Sequence, residues 1–146
     1  MKDFTSIYKS KLTTAEIAVG RINSGVTLSM GMAMTEPPAL LKALADRTSA
    51  GKVDDLKVYY CESTRIAGDT ILRYELTDRI HPYCMFISGV ERDLIKQGEQ
   101  DSGRKVVSYA NNAEHWPADL RSPANWLSTS LKPSTVWVLG AVASAS

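Results

Sequence analysis

Five short runs rich in β-branched and aromatic residues, spaced by stretches of helical character, constrain this chain more than any other feature. They fall at residues 26–30, 56–61, 83–87, 106–109 and 135–139. Strand-like runs that alternate with helical ones build a parallel sheet, because a parallel pair needs a long crossover. The expected fold class is α/β, an open, mostly parallel sheet of about five strands. Right-handed crossovers are expected to place helices on both faces. With 146 residues, the chain fits one domain, 1–146.

The helical stretches carry their own signals. Thr13 is placed to cap a helix, with Glu16 three residues on completing a capping box. Ile17 and Ile22 give that helix an apolar face, and Asn23-Ser24-Gly25 ends it. A second helix opens after Thr35-Glu36-Pro37-Pro38, where proline suits the first turn. Residues 48–55 read as a loop, and a short helix is expected around 70–75. A further helix is expected at 91–97, followed by a turn over 98–103. Pro117 and Pro123 break any helix over 116–126.

Composition excludes several classes. A hydrophobic share of 44%, a charged share of 23% and a net charge of +1 give no footprint for nucleic acid or a membrane surface. Cys61 and Cys84 make neither a CxxC pair nor a disulfide scaffold. The first residues lack the apolar run of a secretory signal, and the apolar stretch 136–142 is too short to span a bilayer. A cytoplasmic location is the expectation.

Ligands of an open parallel sheet bind beyond the carboxyl ends of its strands. That rule selects 31–36, 62–68, 88–89 and 110–114. In the first loop, Gly31 permits a sharp turn and a close ligand approach, and the following helix start suits an anion or a carbonyl oxygen. Neither GxGxxG nor a P-loop is present. Glu36 and Glu62 are the carboxylates near strand ends. Glu36 is expected to help cap its own helix, and Glu62 reads equally as a cleft residue or a solvated one. His81 and Cys84 are too few for a zinc site, and Cys84 reads as a buried strand thiol. Tyr59, Tyr60 and Tyr109 read as core, Arg92 as a solvated helix charge and His115 as a surface residue.

Several ordered pieces carry a resemblance. They are Tyr8-Lys9-Ser10-Lys11, then Ile22-Asn23-Ser24-Gly25, then Gly31-Met32-Ala33-Met34-Thr35-Glu36-Pro37-Pro38 running into a Leu/Ala helix. Phe86-Ile87-Ser88-Gly89-Val90-Glu91-Arg92 followed by Gly98 adds another. Together they resemble the opening of the acetyl-CoA hydrolase/transferase family, which includes the 4-hydroxybutyrate CoA-transferases. The resemblance implies coenzyme A or an acyl-CoA as substrate, a small carboxylate as second partner, and no tightly bound cofactor or metal. A glutamate carboxylate attacks the thioester and passes through a glutamyl-CoA intermediate. In the family that glutamate lies in a carboxyl-terminal domain, so no catalytic residue is expected here. Gly31, Met32, Ala33, Met34 and Glu36 are expected to line the substrate cleft, with the methionines shaping an apolar acyl pocket. Residues 114–146 diverge from the family pattern. The catalytic domain is expected to be missing, and the chain is expected to self-associate through the face left bare. The alternative is a standalone binding or interaction module on the same fold.

Overall fold

The computed structural model describes residues 4–101, 103–110 and, as backbone, 136–139. In chain order the elements are α1 (Phe4–Lys11), α2 (Ala15–Val19), β1 (Thr27–Met30), α3 (Pro38–Ser49), β2 (Leu56–Tyr60), α4 (Arg65–Gly68), β3 (Ile80–Cys84), α5 (Gly89–Asp101), β4 (Ser108–Tyr109) and β5 (Val136–Leu139). Single 3-10 turns lie at Ala33–Thr35 and Tyr74–Leu76. The five strands form one sheet in the order β4-β3-β2-β1-β5, with every neighbouring pair parallel. This is the α/β open parallel sheet flanked by helices that the strand pattern implies.

The ladder sets Leu28 beside Val58 and Val58 beside Pro82. Since alternate residues of a strand point to opposite sides, Leu28, Met30, Leu56, Val58, Tyr60, Ile80 and Cys84 share one face, and all are buried. They meet Val19, Ile22, Leu41, Leu44, Ile71, Leu72 and Leu94 from the helices and turns in one core. Each such side chain contributes about 1.5–3 kcal/mol through burial. The run β1 to β4 moves in one direction across the sheet, so right-handed crossovers put α3, α4 and α5 on that same face. The connection from β4 to β5 lies outside the described residues, and with it the expectation of helices on the second face. That face carries Tyr59 stacked on Tyr83, with ring centroids 4.5 Å apart. No helix among the described residues is long and apolar enough to cross a membrane.

Several boundaries differ from the expectation for identifiable reasons. An amino-terminal helix, α1, precedes the one foreseen. It buries none of its residues, so no core-facing stripe marks it. The α2 cap is Thr14, whose hydroxyl accepts from Ile17 N at 3.3 Å, rather than Thr13. Ile17 therefore points outward while Val19 and Ile22 face the core. The expected helix over 70–75 is replaced by α4 and a 3-10 turn. Strand β3 runs three residues earlier than 83–87 and contains Pro82. Proline is tolerated because β4 pairs only with Tyr83 and Cys84, leaving Pro82 with a strand on one side. Gly98 lies inside α5 rather than in a turn. A Cβ there would come within 2.6 Å of the Arg104 carbonyl, so only glycine lets the returning chain pass.

Candidate functional site

Strand order reverses at β1. The chain leaves it for β2 on one side and returns to β5 on the other. The loop after β1 thus sits where ligands of open parallel sheets bind. It is tightly wound. Thr35 N and Thr35 Oγ1 both donate to Met32 O, and Glu36 N donates to Ala33 O at 3.1 Å. Ala33 takes a left-handed φ of 46°, a strained value for a residue with a Cβ. At Gly31 an added Cβ would lie 2.5 Å from Thr35 O. Gly31 is needed, then, for the sharp turn by which the loop closes on itself.

Glu36 is corrected in both role and direction. It is only 2% exposed, and it caps not its own helix but the next one. Its Oε1 accepts from Thr64 N at 2.7 Å, and its Oε2 accepts from Thr64 Oγ1 at 2.6 Å and Ala67 N at 3.2 Å. Both oxygens are engaged, which makes Glu36 an anchor between the loop after β1 and the start of α4. Met34, in contrast, is 95% exposed and Met32 52%. Neither shapes a pocket among the described residues. Three cavities of about 230, 260 and 360 Å³ lie between α4 and α5, beside Arg104, and between α2 and α3, away from 31–36.

A second buried glutamate was missed. Glu91, in the first turn of α5, is fully buried. Its Oε1 accepts from Ser63 Oγ at 2.5 Å and Tyr60 Oη at 2.9 Å, and its Oε2 accepts from Ser88 N at 2.8 Å. Ser88-Gly89-Val90-Glu91 has capping-box spacing, a signal that could have found it. Burial pushes the Glu91 carboxyl toward neutrality, but the hydrogen bonds from Ser63, Ser88 and Tyr60 outweigh it and hold its pKa below the usual value. Burial, and then the Glu91 charge, push the Tyr60 phenol well above its ordinary range. The same two causes raise Cys84 to about 11, consistent with an inert buried thiol.

The remaining candidates fall as follows. Tyr59 and Tyr60 are core, whereas Tyr109 is half exposed at the sheet edge. His81 Nε2 lies 3.4 Å from Asp55 Oδ1 on the second face. Arg92 and Glu62 are exposed. His115 lies outside the described residues.

Six large apolar side chains stand exposed at the carboxyl ends of neighbouring strands. Met32 and Met34 follow β1, Ile66 follows β2, Phe86 and Ile87 follow β3, and Tyr109 ends β4. Backbone bonds hold these loops side by side, from Ala33 N to Glu62 O, Phe86 N to Cys61 O and Ala110 N to Cys84 O. Large exposed apolar patches are frequent at interaction and ligand sites.

Fold and topology together define an open parallel α/β domain whose strand order reverses at β1. Solved structures agree with that class and point to a particular relative. No family model and no curated protein matches the chain. Among solved structures, RipA from Yersinia pestis is similar with a TM-score of 0.73 at 59% identity, covering 76% of this chain and 26% of that one. A methionine-to-glycine variant of RipA gives a TM-score of 0.76 at 52% identity, covering 82% and 28%. A glutamate-to-aspartate variant gives 0.74 at 59%, covering 77% and 26%. The chain spans about a quarter of the length of these structures.

Proposed function

We propose that this domain forms one wall of the acyl-CoA cleft of a CoA-transferase or acyl-CoA hydrolase, as its resemblance to the acetyl-CoA hydrolase/transferase family implies. The observation that supports this most is the exposed apolar edge at the strand-order reversal. It occurs in a chain 76% of which matches, at 59% identity, about a quarter of a solved protein roughly three times as long. Met32, Ala33 and Met34 would present the wall to a short acyl chain. Gly31 and Glu36 would shape the loop from behind. Coenzyme A, as its acyl thioester, and a small carboxylate are the substrates of this reading, and the cytosol is its compartment.

The chemistry it implies is two successive acyl exchanges. A glutamate carboxylate attacks the thioester carbonyl, expelling the CoA thiolate and leaving an acyl-glutamyl anhydride. The thiolate then attacks the glutamyl carbonyl, releasing the first carboxylate and forming the glutamyl thioester. The acceptor carboxylate repeats both steps in reverse, or water hydrolyses the thioester. Glu36 and Glu91 are both buried in hydrogen bonds and Glu62 is exposed, and this reading takes its nucleophile from the carboxyl-terminal domain that the resemblance implies.

Titration with CoA and acetyl-CoA, followed by amide chemical shifts, tests the proposal. Saturable shifts are expected in 32–36, 61–64 and 86–90, with no exchange of CoA between acetyl-CoA and a small carboxylate. Absence of saturable shifts at millimolar ligand would overturn the acyl-CoA reading. Turnover by the chain alone, lost in Glu36→Gln, would overturn the external nucleophile.

A further inference from the structure

Three successive loops meet at the carboxyl edge, and the middle one is held from both sides. From the loop after β1, Glu36 takes Thr64 N, Thr64 Oγ1 and Ala67 N. From the first turn of α5, Glu91 takes Ser63 Oγ and Tyr60 Oη while also bonding Ser88 N. Backbone bonds repeat the pattern, with Cys61 O accepting from Phe86 N at 3.0 Å and Glu62 O accepting from Ala33 N at 3.4 Å. All four residues of 61–64 are therefore tied, alternately to the loop after β3 and the loop after β1. The side chain of Glu62 alone remains exposed.

The geometry points to Glu36 and Glu91 as positioning residues. They preform segment 61–64 as a rigid part of the binding wall, before any ligand or further polypeptide arrives. Their reach explains why carboxylates are used. One carboxylate accepts from several donors at once, and charged acceptors make the stronger bonds. Buried in this way, each glutamate fixes two loops whose solvent-facing residues are free to meet a ligand, and ordering is not deducted from binding. The inference rests on the acyl-CoA reading only in naming this edge the ligand side.

Native-state hydrogen exchange on the unliganded chain tests it, so failure of CoA binding leaves it decided. In the wild type, the amides of Thr64, Phe86 and Ser88 should exchange far more slowly than exposed amides. In Glu91→Gln, Ser88 and Phe86 should exchange about 10- to 100-fold faster, the loss of a bond to a charged group. In Glu36→Gln the same should hold for Thr64 and Ala67. Core amides of Leu28 and Val58 should change by less than about 3-fold, because positioning acts locally. Ser63→Ala, which removes only one hydroxyl, gives a milder version should the glutamate variants fail to fold. Loop amides unprotected in the wild type, unaffected by the substitutions, or accelerated by the same factor as the core would each overturn the proposal.

Discussion

The helix-covered face of the sheet and its carboxyl edge follow opposite rules. On the face, Leu28, Val58 and Leu44 are buried without exposure, the usual partition of apolar inside and polar outside. At the edge, Glu36, Ser63 and Glu91 are buried while Met32, Met34 and Phe86 stand in solvent. On the face, burial of apolar side chains adds to the backbone ladders that join the strands. The edge forgoes that gain and uses hydrogen-bonded carboxylates to hold its loops, while its apolar groups stand exposed. Such an inversion costs stability, and it is what the proposed acyl-CoA wall would require.

The largest effect that sharpens this contrast is expected on the face. Leu28→Ala should destabilise by about 2–5 kcal/mol, since the cavity at the sheet centre cannot collapse. Denaturant unfolding measures it, and a loss below about 1 kcal/mol would mean that the face is not the mainstay. An intermediate effect should appear on acidification. Glu91 is held ionised in the fold, so its contribution is present above the ordinary carboxyl pKa of about 4.3 and disappears as pH falls through its lower native value. Glu91→Gln should flatten the acid limb of the stability curve below about pH 4.5 while lowering stability at neutral pH. An acid limb as steep in the variant as in the wild type would break the assignment. The smallest effect is expected at the rim. Met34→Ser should change stability by no more than about 0.5 kcal/mol while reducing self-association, read by light scattering. A loss of several kcal/mol would show that Met34 is packed.

The same contrast governs what could be read beforehand. Strands β1, β2 and β5 are legible to within about two residues, because their short apolar runs end at Gly31, Glu62 and Gly140. The β3 strand was displaced because Pro82 reads as a breaker, and its tolerance depends on how short β4 is. At the edge, the position of the loop at 31–36 follows from the strand-to-helix pattern, and so does the need for Gly31 at its sharp turn. The capping-box spacing of Ser88 and Glu91 is local, but the other partners of Glu36 and Glu91 are opaque because they lie far along the chain. Thr64 is 28 residues from Glu36, and Tyr60 is 31 from Glu91. Local pattern carries caps and periodicity but no tertiary pairing.

Those separations have a consequence for the order of assembly. Each glutamate closes a loop of about 30 residues, whose entropic cost a few hydrogen bonds cannot offset in an unstructured chain. The strands must already be aligned before either carboxylate can find its donors. The ties at the edge are therefore late events in folding, set upon a sheet that has formed without them.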